Sequence, residues 1–141
     1  MNPLRNSQIT VAMDRALESM LSATADAAAP TMIPLLLNRW YSDRERTMAL
    51  RRMLLRCLCR LQPEHADLVS TAHRKELYFE LQRTRNDPYL VCAILRGLAG
   101  IEDHTPVHDV IVLAHGSRSA AEFPEIQAAA REYLLALGYT L

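Results

Sequence analysis

Residues 87–101 of the chain read DPYLVCAILRGLAGI, and this segment has the features of a buried helix with a marked beginning. Asp87 is a preferred capping residue, and Pro88 falls in the first turn, where its missing N–H costs no hydrogen bond. Gly97 and Gly100 lie inside the helix, where each costs about 1 kcal/mol relative to alanine. We therefore expect another backbone to pass close to the two glycines; the alternative for Gly100 is a position in a fraying last turn.

The same residue pattern occurs twice more in the chain. A shift of 36 residues forwards places Pro88, Leu90, Ala93, Leu98 and Ile101 on Pro124, Ile126, Ala129, Leu134 and Leu137. A shift of 44 residues backwards places Asp87, Ala93, Arg96 and Leu98 on Asp43, Ala49, Arg52 and Leu54. Self-similarity at roughly 35–45 residues is typical of stacked helical hairpins. The three matched alanines are expected at helix–helix contacts.

The composition indicates one domain, residues 1–141, of which 50% are hydrophobic. Sixteen basic and sixteen acidic residues cancel, which argues against a nucleic-acid or membrane partner. Asp14 and Glu18 interrupt the apolar positions near the N-terminus, so no signal peptide is expected. No apolar run approaches the roughly 18 residues of a membrane span. We expect a cytoplasmic protein; the single lysine, Lys75, beside fifteen arginines fits a GC-rich bacterial genome or a selected property.

Residues 7–24 are expected to form an N-terminal capping helix whose apolar side faces inward. That inner face comprises Ile9, Ala12, Met13, Ala16, Leu17, Met20 and Leu21, which recur at intervals of three and four. Asp14, Arg15 and Glu18 are assigned to the opposite side. Three helical hairpins are expected to follow, over residues 31–61, 64–101 and 105–138.

Local signals mark the expected boundaries inside the hairpins. Thr31 is expected to start the first helix, and residues 42–45, SDRE, read as a capping box for the second. A break is expected near Ser70 and Thr71. The pair Thr105-Pro106 reads as the start of a helix that includes residues 110–113, and Gly138 as the end of the last helix, with Tyr139 folding back onto it.

Paired helices, a Pro or Asp-Pro at the start of each second helix, and a small alanine at its packing centre resemble HEAT or armadillo repeats. The tail PEIQAAAREYLLALG, residues 124–138, is most similar to a HEAT second helix. The resemblance covers about 31–138 and departs in the first unit, where Arg46, Thr47 and Arg51 replace apolar or small positions. It implies an all-α, right-handed stack of about three hairpins that acts as a protein-binding adaptor or regulatory scaffold.

A second segment, VIVLAHGSR at residues 110–118, is similar to the strand and loop that open class II chelatases of the sirohydrochlorin type. That resemblance implies a strand at 110–113 and a metal-binding His115, so the alternative function is a metal-binding or chelatase-like protein. A single strand would leave its N–H groups unsatisfied, so we predict a helix there. A nucleic-acid-binding HEAT-like protein is a further alternative, which the zero net charge disfavours.

The histidines and cysteines form no predicted metal or catalytic site. His108 and His115 share a helix face but lie roughly 10 Å apart along its axis, and His104 precedes the helix. Cys57 and Cys59 point to opposite sides of a helix. No nucleophile has its base and acid placed by the sequence. We therefore predict no catalytic residues, no metal and no cofactor.

The predicted binding site is a stripe of arginines. Arg52, Arg56 and Arg60 recur at every fourth residue, and the repeat offset matches Arg52 with Arg96. Equivalent positions stack side by side in a solenoid, so the four are expected on one exposed surface. Guanidinium groups bind carboxylates well, so the hypothesis is a basic patch that binds an acidic segment of a partner protein. Phosphate is the second kind of ligand that such a patch could bind. The alternative is a solvated face with carboxylate neighbours such as Glu102.

Overall fold

The computed structural model describes residues 3–24, 26–42, 45–84 and 86–140. Their α-helices are α1 (Pro3–Ser22), α2 (Ile33–Ser42), α3 (Met48–Leu58), α4 (Thr71–Gln82), α5 (Pro88–Gly100), α6 (Val107–Ala114) and α7 (Pro124–Ala136). Short 3₁₀ helices lie at Asp26–Met32, Pro63–Leu68 and Arg118–Ala121. No strand occurs in these described ranges, and the predicted all-α class is confirmed for them.

The helices contact one another in a regular order. α1 contacts α3, α3 contacts α5, and α5 contacts α7. The intervening helices make a second series, in which α2 contacts α4 and α4 contacts α6. The two series meet where α2 packs on α3, α4 on α5 and α6 on α7. Buried aliphatic side chains from α2 to α7 form the core between them.

Two predicted boundaries are found at the expected residues. The Asp87 carboxylate caps α5 by accepting hydrogen bonds from the N–H groups of Tyr89 (3.0 Å) and Leu90 (3.4 Å). The break predicted near residue 70 separates the 3₁₀ helix Pro63–Leu68 from α4. There the Ser70 hydroxyl accepts the N–H of His73 at 3.1 Å and starts the new helix.

The start of α3 differs from the prediction. The helix begins after Thr47, whose hydroxyl oxygen accepts the N–H of Leu50 at 3.0 Å. The predicted capping box at 42–45 is therefore wrong, because Ser42 ends α2 and Glu45 is not helical. Residues 43–44 lie outside the described residues. Thr31 likewise starts no α-helix, since it lies within the 3₁₀ helix Asp26–Met32.

Residues 110–113 belong to α6, so the predicted helix is confirmed and the strand that the chelatase resemblance implies is not formed. The helix begins after Pro106 rather than at a Thr105 cap. The N–H of Thr105 instead donates to a carboxylate oxygen of the buried Asp103 at 3.0 Å. Because α6 makes its own backbone hydrogen bonds, the β-branched residues here need no neighbouring strand.

The predicted close approach at the two α5 glycines is confirmed. A Cβ atom built on Gly97 would lie 3.0 Å from the carbonyl oxygen of Leu58. A Cβ atom built on Gly100 would lie 2.1 Å from the carbonyl oxygen of Leu61. The missing side chains therefore let α5 lie directly against the end of α3 and the residues that follow it.

The three matched alanines, Ala49, Ala93 and Ala129, are all buried. Replacement of Ala93 by leucine is expected to lower the free energy of unfolding by roughly 1–3 kcal/mol, because the added atoms overpack a filled interior. Urea unfolding measures the change, and Ala128→Leu on the exposed side of α7 is the matched control. An Ala93→Leu variant that melts like wild type would show that the matched-alanine register is wrong.

Candidate docking surface

Helix α1 lies with its apolar face outward, so the predicted inner face is wrong for most of its residues. Ile9, Met13 and Met20 have 49%, 66% and 68% of their surface exposed. Ala12 and Ala16 are also exposed, and Leu17 is only partly covered. Of the seven predicted inward residues, Leu21 alone is buried. Of the residues assigned to the solvent side, Asp14 and Glu18 face the rest of the protein, whereas Arg15 is exposed as expected.

A buried carboxylate explains this orientation. Asp14 is 1% exposed and accepts hydrogen bonds from Arg39 Nη2 at 3.1 Å and from the hydroxyl of Thr47 at 2.7 Å. Burial opposes ionisation of this carboxyl, but the bonds from Arg39 and Thr47 outweigh it and hold the pKa of Asp14 below its ordinary value. Turning α1 over would leave the Arg39 guanidinium without this partner, which is costly for a partly buried charge.

The predicted binding arginines Arg52 and Arg56 also hold α1. Arg52 makes a two-bond ion pair with Glu18, with Nε–Oε2 and Nη2–Oε1 distances of 2.8 and 2.9 Å. The hydrogen bond from Arg52 lowers the pKa of Glu18. Arg56 donates to the carbonyl oxygen of Leu21 at 3.1 Å, near the C-terminal end of α1. The arginine stripe therefore lies along the seam between α1 and α3.

The other two predicted residues lie farther along the chain. Arg60 donates to the carbonyl oxygen of Arg56 at 3.2 Å. Arg96 is exposed on α5. The α3 arginine that reaches α5 is Arg51, whose Nε lies 2.7 Å from an Asp87 carboxylate oxygen. Binding of an acidic segment by the four arginines stays a prediction, and the carboxylate found at Arg52 is Glu18 rather than Glu102.

The outward face of α1, defined here as Ile9, Ala12, Met13, Ala16 and Met20, has a regular shape. Its main residues are spaced by four, three and four positions, which is the spacing of a helix–helix seam. The two alanines leave room between the larger side chains. Sequence periodicity identified these residues as one face, but it did not show that the face is uncovered.

A charged side chain, Arg15, borders this outward face. Arg15 is exposed and lines a shallow cavity of about 370 Å³ together with Ser7, Gln8 and Val11. Within the part of the chain that the structure describes, Arg15 makes no ion pair. The surface thus combines an apolar strip with the guanidinium group of Arg15 at its edge.

The histidines of the alternative metal site lie apart from this surface. His115 is exposed at the end of α6, and His104 Nδ1 lies 2.8 Å from the hydroxyl of Tyr139. Across the described ranges, His, Cys, Asp and Glu side chains form no group of three able to hold a metal ion. None of the helices in those ranges has the length and apolar character needed to cross a bilayer.

Comparisons with known proteins give no relative for this chain. No protein-family model matches it. No curated protein and no solved structure matches it either. A proposed function therefore rests on the contacts and surfaces of the chain itself.

Proposed function

We propose that the chain is a non-enzymatic adaptor or regulatory scaffold that binds a partner protein on the outward face of α1. The observation that carries this proposal is the exposure of Ile9, Met13 and Met20 on a helix whose acidic residues face inward. A contiguous apolar patch on a soluble surface marks an interaction site more often than scattered apolar residues do. Methionine suits such a site, because its flexible side chain adapts to a partner's shape.

The order of the helix contacts supports the scaffold proposal. The order of contacts, α1 to α3 to α5 to α7 on one side and α2 to α4 to α6 on the other, is what three stacked hairpins behind a capping helix would give. The buried, matched alanines fit the same arrangement. In this proposal α1 is the edge of the stack, and its outward face is the surface on which a further helix would pack.

The proposed occupant is an amphipathic helix of another protein. The seam spacing of Ile9, Met13, Ala16 and Met20 suits the ridges of a helix better than the alternating side chains of an extended peptide. α1 has 20 residues and is therefore about 30 Å long, which gives such a helix several turns of contact. The gaps at the alanines would receive its larger side chains.

Charge complementarity selects a different protein over a second copy. Arg15 at the border of the face would form an ion pair with a carboxylate at the edge of the partner helix. The acidic side chains of α1 itself are already used, since Asp14 is paired with Arg39 and Glu18 with Arg52. A second α1 would therefore bring no available carboxylate to Arg15.

Photo-cross-linking from the outward face tests the proposal. A benzoylphenylalanine in place of Met13 is expected to cross-link, in cells of the native host, to a helical segment that carries an acidic residue beside its apolar stripe. With the purified partner, Arg15→Glu is expected to weaken binding at least tenfold. A lysine in place of the partner's acidic residue should then restore binding to Arg15→Glu.

Two controls separate this surface from the arginine stripe. Arg96→Glu is expected to leave binding by the partner unchanged, whereas the acidic-segment hypothesis predicts loss in Arg96→Glu and in Arg52→Glu. Sedimentation of the purified chain tests for self-association. A dimer that Met13→Asp dissociates, or binding to lipid vesicles that Met13→Asp removes, would overturn the proposed occupant.

A further inference from the structure

A second surface feature lies at the other end of the contact series, between α6 and α7. It is a half-open cavity of about 370 Å³. Its walls are mainly apolar, from Ile111, Ala114 and Leu134, and its polar groups come from His115, Arg131 and Tyr139. This volume falls within the range of about 300–1,000 Å³ for small-molecule sites, which are also mostly apolar with a few polar groups.

The turn after α7 builds one wall of the cavity. Gly138 has a positive φ of 88°, which a residue with a side chain seldom adopts, and it reverses the chain. The N–H of Tyr139 then donates to the carbonyl oxygen of Leu134 at 2.8 Å, so the predicted fold-back of Tyr139 is confirmed. The Tyr139 hydroxyl is in turn held at 2.8 Å from His104 Nδ1. The wall is therefore held by one hydrogen bond to the preceding helix and one to a distant residue of the chain.

The end of α6 positions Arg131. The carbonyl oxygen of Ala114 accepts hydrogen bonds from Gln127 Nε2 at 3.0 Å and from Arg131 Nε at 3.4 Å. Over the described ranges, Arg131 makes no ion pair with a carboxylate. The guanidinium is thus anchored through one nitrogen at the cavity, while its positive charge has no carboxylate counter-ion among the described residues.

We propose that this cavity binds a small organic carboxylate with an apolar body. Arg131 would bind the carboxylate, since guanidinium–carboxylate pairs form parallel, charge-assisted hydrogen bonds. Ile111, Ala114 and Leu134 would cover the apolar body, and Ile111 is 36% exposed without it. The site is separate from the α1 surface and does not depend on the proposed partner. It adds a ligand-binding role to the last hairpin.

Binding of 4-phenylbutyrate and octanoate to the isotope-labelled chain tests this proposal by NMR titration. Each acid is compared with its matched alcohol, 4-phenylbutan-1-ol or octan-1-ol. We expect the amide signals of Ile111, Ala114 and Leu134 to shift, and at least one acid to bind tenfold or more tightly than its alcohol. Arg131→Gln is expected to remove that preference, whereas Arg96→Gln, at an exposed arginine of α5, should leave it unchanged.

Three results would overturn the proposal. The first is that neither acid shifts these amides at 10 mM. The second is equal binding of acid and alcohol. The third is an Arg131→Gln variant that keeps the acid preference while its spectrum shows the folded pattern of wild type.

Discussion

Replacement of Gly100 by alanine is expected to lower the free energy of unfolding by about 3 kcal/mol, at the upper end of the range for overpacking. The new Cβ would lie 2.1 Å from the carbonyl oxygen of Leu61 and 2.9 Å from its carbonyl carbon. Relief requires either a shift of the backbone at Leu61 or unwinding of the last turn of α5. Both responses separate α5 from the end of the α3 segment. Urea unfolding of the purified variant measures the loss.

The loss of unfolding free energy in Gly97→Ala is the comparison for the loss in Gly100→Ala. Its Cβ would lie 3.0 Å from the carbonyl oxygen of Leu58 and 3.2 Å from a methyl carbon of Leu61, so smaller shifts relieve the contact. Alanine also stabilises a helix interior by about 1 kcal/mol relative to glycine. The loss at Gly97 should therefore be clearly smaller than at Gly100. A Gly100→Ala variant as stable as wild type would show that the two backbones do not lie this close.

Asp14→Ala is expected to cost about 3 kcal/mol, because it leaves the Arg39 guanidinium and the Thr47 hydroxyl without their shared partner. Glu18→Ala is the matched control on the same helix. The Glu18–Arg52 pair is more exposed, at 26% and 53% of the two side chains, so its loss should cost no more than about 1 kcal/mol. Equal effects of the two substitutions would contradict the role assigned to Asp14.

The same carboxylates predict the acid sensitivity of α1. Folding lowers the pKa of Asp14 and of Glu18 from their ordinary values of 3.8 and 4.5. Their stabilisation is therefore complete above those values and is lost as the pH falls below them, because protons then bind the unfolded chain more readily. The stability difference between wild type and Asp14→Ala should accordingly narrow on acidification. A constant difference down to pH 2 would contradict the lowered pKa of Asp14.

Local sequence signals predicted much of the fold, because their causes are local. Asp87 caps α5 through its own next residues, and Gly138 reverses the chain within one turn. The glycines of α5 also predicted that another backbone lies close, because glycine destabilises a helix interior and is expected there only where a side chain would not fit. The capping box predicted at 42–45 was wrong because two candidate capping residues lie a few positions apart, and Thr47 is the residue that caps α3.

The candidate site was predicted less well, because distant partners decide it. Periodicity identified the apolar face of α1 but assigned it to the interior. The opposite side of α1 faces inward instead, because Asp14 bonds to Arg39 and Thr47, which lie 25 and 33 residues away in the sequence. The pairing of Arg52 with Glu18 was not predicted for the same reason, since nothing near Arg52 in the sequence indicates Glu18. Pairings between distant charges require the packed helices to be known first.

The polar seam beneath α1 has a consequence for the cooperativity of the protein. Among the α1 side chains that the structure describes, residues 7–22, Leu21 is the one buried apolar residue, so this part of the helix adds little to the common core. Segments with few buried apolar contacts open at free energies well below that of global unfolding. Salt screens the more exposed Glu18–Arg52 pair and should favour such opening. A partner that binds α1 only while the helix is packed against α3 would oppose this opening by mass action. Binding of the partner would therefore also increase the order of α1.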